Sequence, residues 1–244
     1  MDIKNLRPPW SSLGRRIESK VRKALFDFDL AAPKISVALS GGKDSITLLL
    51  MLKAISGRGF PSFDLTALHV SGEFSCGGSV AGGHLKILCE ELQVPLICKE
   101  SNRTLDQLAC YSCSRERRRL LFDAAKEAGT DTIAFGHHRD DNAQTLLMNL
   151  LHKGEFCGTL PKIEMVDFQS TIIRPLIYVS EDETTEFAKL QGFSRIVCRC
   201  PVGQNSMRKK TDRLIDEMQA LFPNVRGNLS LAALTYGSDK ARKK

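Results

Sequence analysis

Residues 35–52 read ISVALSGGKDSITLLLML and hold a glycine pair between two apolar runs. The first run, residues 35–39, predicts a buried strand, and the second, residues 46–52, predicts the body of a helix. A strand that turns through glycine into a helix directs backbone N–H groups and the positive end of the helix dipole at one point, which suits a phosphate group. We therefore predict a phosphate site in residues 40–45.

The turn itself reads Ser-Gly-Gly-Lys-Asp-Ser. Its glycines let the backbone approach an anion closely, and its hydroxyls and lysine supply donors and a positive charge. The spacing differs from both the Walker loop and the dinucleotide fingerprint. It resembles the PP-loop, the pyrophosphate-binding signature of ATP pyrophosphatases, and the alternative is an ordinary glycine turn. The residues predicted to bind ATP here are Ser40, Gly41, Gly42, Lys43, Asp44 and Ser45.

Apolar runs alternate along the chain with stretches of helical spacing. Strands are predicted at residues 35–39, 63–70, 95–98, 132–136 and 171–176, and helices at residues 44–56, 82–92, 114–128, 140–151, 181–191 and 206–221. This alternation favours an α/β fold with a parallel sheet and helices on both faces. We expect an N-terminal helical extension in residues 1–30, the α/β domain in residues 31–225 and a basic C-terminal tail in residues 226–244.

Composition restricts the classes of protein to which the chain can belong. Its 244 residues are 42% hydrophobic, which is typical of a globular protein, and no apolar run is long enough for a membrane span or a secretory signal. We therefore expect a cytoplasmic protein with no membrane partner. The net charge of +7 favours an acidic partner such as nucleic acid, although solvated helix faces and a solubilising tail would explain the same excess.

The chain has eight cysteines, and a reducing cytoplasm keeps such thiols free. Two close pairs stand out: Cys110 and Cys113 precede a predicted helix, and Cys198 and Cys200 follow the last predicted strand. Such pairs serve zinc sites, iron–sulfur clusters and redox dithiols. A cluster with three protein ligands would need only one cysteine of the second pair and would keep one position open.

Polar residues follow several predicted strands, namely residues 40–45, His69 and residues 136–141. The carboxyl ends of parallel strands share one edge of a sheet, so we expect these residues to converge. Asp140 and Asp141 begin the next predicted helix. Each either caps that helix or holds Mg²⁺ against the phosphates of ATP.

The adjacent histidines, His137 and His138, allow two placements. Either imidazole could pack under the sheet while the other meets the nucleotide. The residues alone leave this assignment open.

Four motifs in order resemble the tRNA 2-thiocytidine synthetase family, whose members thiolate cytidine 32 of tRNA. They are residues 40–45, the pair Cys110/Cys113 with Ser114-Arg115-Glu116-Arg117-Arg118, residues 136–141 with Gln144-Thr145, and Ile173-Arg174-Pro175-Leu176. The resemblance extends from about residue 5 to residue 225. It implies an adenine nucleotide α-hydrolase-like fold, an ATP site at the PP-loop and an oxygen-sensitive [4Fe–4S] cluster.

The resemblance also implies roles for individual residues. The cluster ligands are Cys110, Cys113 and Cys200, with Cys198 as the alternative third ligand. The catalytic residues are Asp44, Asp141 and Arg117, of which the aspartates position Mg²⁺. The ATP site extends to His69, Gly136 and Asp141. The tRNA-binding residues are Arg115, Arg118, Arg119, Lys209 and Lys210.

The implied reaction adenylates the C2 oxygen of cytidine, releases pyrophosphate and then replaces the oxygen with sulfur while AMP leaves. The resemblance further implies tRNA as partner, a cysteine-desulfurase-type sulfur donor and a homodimer. Three alternatives stay open: thiolation of a tRNA uridine, a cluster-free adenylating ligase of the lysidine synthase type, and a zinc-stapled RNA-binding protein.

Overall fold

The computed structural model describes residues 6–72, 78–102, 110–193 and 206–237, with the backbone alone at residues 78–81 and 110. Helices and strands alternate along most of these residues. The helices are α1 (Ser12–Asp27), α2 (Lys43–Ile55), α3 (Gly78–Leu92), α4 (Cys110–Glu127), α5 (Arg139–Lys153), α6 (Glu181–Leu190), α7 (Met207–Leu221) and α8 (Val225–Tyr236). The strands are β1 (Lys34–Ala38), β2 (Asp64–Ser71), β3 (Leu96–Glu100), β4 (Thr132–Ala134), β5 (Lys162–Met165) and β6 (Ser170–Ile173).

The six described strands form one sheet in the order β3-β2-β1-β4-β6-β5. All neighbours are parallel except β5, which pairs antiparallel with β6. The predicted fold class, an α/β protein with a mainly parallel sheet, is therefore confirmed. The chain builds outward from β1 to β3 and then returns to place β4 on the other side of β1, and such a reversal opens a crevice at the carboxyl ends of the two central strands.

Helices cover both faces of the sheet, because the buried strands are apolar on both sides. On one face, α1, α2, α3 and α6 bury a cluster that includes Val37, Ala67 and Ile173. On the other face, α4 packs its Leu121 and Phe122 against a second cluster that includes Ile172. The neighbours Ile172 and Ile173 thus point to opposite faces, as the two-residue period of a strand requires.

The structure differs from the sequence prediction near its carboxyl end. Residues 226–236 belong to helix α8 rather than to a basic tail, and residues 238–244 lie outside the described residues. Helix α8 packs on α5, where the Asn142 side-chain amide donates to the Ser230 carbonyl at 3.1 Å and to its hydroxyl at 3.0 Å. The weakly amphipathic sequence of α8 carries little signal of this long-range contact.

The other differences are smaller. Strand β5 was not predicted, because the short sequence Lys-Ile-Glu-Met carries no strong strand pattern and gains its partner only at the edge of the sheet. Strand β6 ends at Ile173, two residues before Pro175. Helix α4 begins at Cys110 rather than at residue 114. No described helix combines the length and the apolar character that crossing a lipid bilayer requires.

Candidate functional site

The glycine turn connects β1 to α2 as the sequence predicts. Gly41 adopts a φ of 85°, which a residue with a side chain adopts only at a cost in energy. The hydroxyls of Ser40 and Ser45 lie 3.1 Å apart, and the Ser45 hydroxyl donates to the Gly42 carbonyl at 2.9 Å. No side chain caps the N-terminus of α2 at Gly42, so the first N–H groups of the helix are left available for an anion.

The loop after β4 lies directly against this turn. A Cβ atom at Gly136 would stand 3.0 Å from the backbone nitrogen of Ser45 and 3.1 Å from the carbonyl carbon of Asp44. Only glycine allows two main chains to approach this closely. The structure thus brings residues 40–45 and Gly136 together, as predicted.

A cavity of about 270 Å³ opens at this junction. Leu39, Val70, Leu121 and Phe135 give it an apolar wall, and the glycine turn contributes polar groups from Ser40, Gly42, Asp44 and Ser45 at one side. An apolar wall beside a phosphate-binding turn suits a flat base that is linked to phosphates. The arrangement therefore fits a nucleotide.

Helix α4 supplies the opposite side of the cavity. Ser114, Arg117 and Arg118 line it from the first turns of the helix. Cys113, the residue before Ser114, has a half-buried free thiol. Cys110 begins the same helix, so the backbone places both cysteines of the pair in the first turn of α4, next in sequence to residues that line the cavity.

The second cysteine pair, Cys198 and Cys200, lies outside the described residues. Within the described part of the chain, no three His, Cys, Asp or Glu side chains are close enough together to hold a metal ion. The choice between Cys200 and Cys198 as third ligand therefore stays a prediction.

The histidines occupy three different environments. His69 is fully buried with Nδ1 at 2.7 Å from the Leu39 carbonyl, and the cavity-lining residues do not include it. His138 is the N-cap residue of α5 and accepts from the Asp141 backbone N–H at 3.4 Å. His137 lines the cavity. Burial lowers the pKa of His137 to about 4 against the opposing charge of Asp141, so its imidazole is neutral at physiological pH.

Asp44 is held by groups from two helices. Lys43 Nζ lies 2.8 Å from Asp44 Oδ1 and 3.3 Å from Glu181 Oε1. The Thr184 hydroxyl, on α6, donates to Asp44 Oδ1 at 2.6 Å. These contacts fix the orientation of the carboxylate at the edge of the cavity.

The two aspartates that begin α5 have different partners. Asp140 is buried, and it accepts from the Glu181 backbone N–H at the start of α6 and from Arg139. Asp141 completes the capping box of α5 by accepting from the His138 backbone N–H at 3.1 Å, and its Oδ1 lies 2.9 Å from the guanidinium of Arg208. Helix capping, the simpler alternative, thus accounts for the contact of Asp141 Oδ2, whereas Oδ1 contacts an arginine instead.

The charge of Asp141 is stabilised by its surroundings. Burial alone would raise the pKa of Asp141, but the electrostatic interactions with His138, His137 and Arg208, together with the hydrogen bond from the His138 backbone N–H, outweigh burial and lower it. The carboxylate is therefore ionised at neutral pH, as a magnesium ligand would have to be.

The predicted tRNA-binding residues lie around the same edge of the sheet. Arg118 lines the cavity, whereas Arg115 is exposed and lies 5.7 Å from the ring centre of Tyr111. Arg119 is exposed and 3.8 Å from Asp123. Lys209 and Lys210 lie on the exposed first turn of α7.

Sequence reasoning assigned no role to several residues that the structure places here. Thr184 and Glu181 reach the turn from α6, Arg208 reaches Asp141 from α7, and Arg174 is buried behind Arg118. For Arg174 a signal existed, because a charged residue directly after an apolar strand is unusual. For Thr184 there was none, because it contacts Asp44 across 140 positions of sequence.

Known proteins are similar to this chain in sequence and in fold. The model of the PP-loop domain family matches residues 13–196. The tRNA-cytidine(32) 2-sulfurtransferase of Anaeromyxobacter dehalogenans is 36% identical over 89% of this chain and 78% of its own length. That of Syntrophotalea carbinolica is 34% identical over 89% of this chain and 87% of its own length. The chain belongs to the tRNA-cytidine(32) 2-sulfurtransferase family.

A solved structure supports the fold of this sulfurtransferase family member. The U34-tRNA thiolase NcsA from Methanococcus maripaludis with its [4Fe-4S] cluster matches with a TM-score of 0.74 over 96% of this chain and 83% of that chain, at 22% identity. The match shows a shared fold.

Proposed function

We propose that this chain catalyses the ATP-dependent 2-thiolation of cytidine 32 in tRNA. One observation carries the proposal: the phosphate-binding turn and the helix that bears Cys110 and Cys113 border the same cavity. A nucleotide-activated base bound there would lie beside the cysteine pair. Membership of the sulfurtransferase family supports the same reaction.

The glycine turn would bind the phosphates of ATP. The free N–H groups at the start of α2 and the hydroxyls of Ser40 and Ser45 face the cavity side of the turn. These donors would stabilise the negative charge that develops on pyrophosphate as it departs. The carboxylates of Asp44 and Asp141 would hold Mg²⁺ once Lys43 and Arg208 move to the phosphates.

In the first step the C2 oxygen of cytosine would attack the α-phosphorus of ATP. An oxygen–phosphorus bond forms, the bond to the bridging oxygen breaks, and pyrophosphate leaves. Arg117 lines the cavity and would neutralise charge on the transferring phosphoryl group. His137, neutral and with an unpartnered Nδ1, would offer one hydrogen bond to the base without adding positive charge. Sulfide would then displace AMP from C2.

The first turn of α4 fits an iron–sulfur ligand set. Cys113 has a free, half-buried thiol, and Cys110 stands three positions earlier on the same helix. Cys110 and Cys113 would hold a [4Fe–4S] cluster together with Cys200, and such a cluster, when bound, supplies a Lewis-acidic iron with an open position for sulfur. The role of the protein is to orient the base and to exclude water beside these thiols.

The wider partners follow from the same reaction. The tRNA backbone would contact the basic residues of α4 and the first turn of α7, because phosphate contacts supply most of the affinity for nucleic acid. A cysteine-desulfurase-type protein would deliver the sulfur. We place the protein in the cytoplasm, where tRNA is modified, as a homodimer.

Two measurements test the function. Mass spectrometry of tRNA nucleosides from cells that lack the protein should show loss of 2-thiocytidine and its return on complementation. The anaerobically purified full chain, given ATP, Mg²⁺, sulfide and unmodified tRNA, should form AMP and pyrophosphate together with the thiolated base. Loss of 2-thiouridine instead would redirect the proposal to a uridine, and unchanged thionucleosides would refute it.

A further inference from the structure

Arg174 carries a buried positive charge that the described residues do not neutralise. Only 9% of its surface is exposed, and one guanidinium nitrogen donates to the Leu160 carbonyl. Its Nε–H has no hydrogen-bond partner within the part of the chain that the structure describes. Among the described side chains, none forms an ion pair with it. A buried cation in this state is costly unless an anion reaches it.

The position of Arg174 places it beside the nucleotide cavity. It follows β6 directly, and Ile173 pairs with Ala134 in register. Phe135, the residue after β4, donates its N–H to the Ile173 carbonyl and lines the cavity. Because Ile172 packs against α4 and strand residues alternate, Arg174 lies on the α4 side of the sheet.

Arg118, from α4, lies close enough to act on the charge of Arg174. It lines the cavity and forms no ion pair with a described carboxylate. Burial and the charge of Arg118 lower the pKa of Arg174 to about 10, with Asp141 opposing them. Asp141 is already engaged by Arg208 at 2.9 Å, so it cannot serve both arginines equally.

We propose that Arg174 and Arg118 form a second phosphate subsite, separate from the glycine turn and on the opposite side of the cavity. The proposal rests on the proposed function and extends it. A guanidinium matches the oxygens of a phosphate with paired N–H donors, and the free Nε–H of Arg174 supplies one of them. The ligand is a phosphate monoester or diester, either the α-phosphate of the nucleotide or a backbone phosphate of the bound tRNA.

The subsite would divide the work of the cavity. The glycine turn would hold the phosphates that leave, and the arginine pair would hold the phosphate that stays with the reacting groups. Such a division requires the two sites to face each other across the cavity, as the turn and α4 do.

The test compares three full-length variants, Arg174→Met, Arg118→Met and, as a matched control, Arg58→Met. Arg58 is also an arginine, but it pairs with Glu18 beyond the far end of α2. Binding of AMP and ATP is measured by calorimetry and binding of unmodified tRNA by fluorescence anisotropy over a range of salt concentrations. Melting temperatures are recorded for all proteins.

A contact with the α-phosphate predicts that Arg174→Met and Arg118→Met bind AMP about tenfold or more weakly and tRNA normally. A contact with a tRNA phosphate predicts normal AMP binding, weaker tRNA binding and a slope of log K against log salt that is lower by about 1. Either result supports the subsite if Arg58→Met behaves as the unmodified protein does. We also expect Arg174→Met to melt at the same or a higher temperature, because it removes a buried charge.

Wild-type affinities for AMP, ATP and tRNA in both variants would overturn the subsite, and a lower melting temperature of Arg174→Met in that case would assign it a structural role. If Arg174→Met does not fold, Arg118→Met on its exposed helix decides the question. Thiolation by the unmodified protein is assayed in parallel. If the unmodified protein does not thiolate tRNA while the variants still lose phosphate affinity, the proposed function is refuted and the subsite stands. If the unmodified protein thiolates tRNA while the variants keep wild-type affinities, the function stands and the subsite is refuted.

Discussion

The two sides of the cavity are built in different ways. The glycine turn takes its geometry from consecutive residues, because the strand, Gly41 and the N-terminus of α2 together determine where the N–H groups point. The remainder is assembled from α4, from the end of β2 and from the loop after β4, which are far apart in sequence. Local sequence thus locates the phosphates, and tertiary packing determines which chemistry meets them.

The first two predictions separate these sides by their chemistry. We expect Cys113→Ser to abolish tRNA thiolation and the visible absorbance of an iron–sulfur protein, because a serine hydroxyl is a poor iron ligand. ATP binding should persist, because the glycine turn is intact. Iron content, ATP affinity and 2-thiocytidine formation are the measurements.

Cys98→Ser is the control for this substitution. Cys98 is also a free thiol but lies exposed on β3, so its loss should change none of these quantities. Full thiolation by Cys113→Ser would contradict a cluster that Cys113 holds. It would also remove α4 from the sulfur chemistry.

Gly136→Ala tests the contact on the turn side. The added methyl group would meet backbone atoms of Ser45 and Asp44 that cannot move away, so we expect a loss of about 1–3 kcal/mol in stability and weaker ATP binding. Gly82→Ala is the control, because Gly82 lies in helix α3 and a Cβ atom added there would meet nothing within 4 Å. Denaturant unfolding and ATP titration measure both. An unaffected Gly136→Ala would show that the loop and turn are less tightly packed than described.

Thr184→Val tests whether α6 positions the Asp44 carboxylate. Removal of the hydroxyl deletes one charge-assisted hydrogen bond, so kcat should fall about tenfold while KM for ATP changes little. Thr184→Ser keeps the hydroxyl and should restore most of the rate. Equal loss in both variants would indicate a packing defect rather than positioning.

The smallest expected effect concerns the acid stability of the α1–α6 contact. Burial would raise the pKa of Glu183, but Lys20, the Ser180 N–H and Arg16 outweigh it and lower the pKa to about 2. A lowered pKa contributes stability above the unfolded value, near 4.5, and that contribution is lost as the pH falls towards 2. Glu183→Gln keeps the capping geometry and should lose about 1 kcal/mol at neutral pH but little near pH 2.

The control for this measurement is Glu186→Gln, an exposed residue of the same helix. Urea midpoints across the acid range should have the same pH dependence in this variant as in the unmodified protein. If the urea midpoint of Glu183→Gln had the same pH dependence as that of the unmodified protein, this result would contradict the assigned ion pairs.

Sequence alone predicted the side of the site that depends on local structure. The turn of residues 40–45 and its approach to Gly136 were inferred from motifs that follow predicted strands, whereas Cys110 and Cys113 were expected just before the helix that in the structure begins at Cys110. The rule that parallel strands end at one edge was sufficient for this, because it converts an order of elements into a location.

The remaining part of the site depends on contacts that no local pattern encodes. The sequence around Thr184 predicts a helix and nothing more, and only the packing of α6 on α2 brings Thr184 to Asp44. The unbalanced charge of Arg174 becomes visible only when its burial and its neighbours are known. His69 was predicted to bind ATP because it lies near the end of a predicted strand, yet its imidazole is buried against the Leu39 carbonyl and does not itself line the cavity.

Because the strand order reverses between β1 and β4, the thermal stability and the catalytic activity of this molecule depend on different residues. The cleft exists because of connectivity, and neither hydrophobic cluster has to be loosened to make room for it. Substitutions that repack the two hydrophobic clusters can therefore raise the melting temperature without moving the reacting groups. Conversely, exchange of the loops at that single rim could give the same scaffold a different nucleotide-activated substrate.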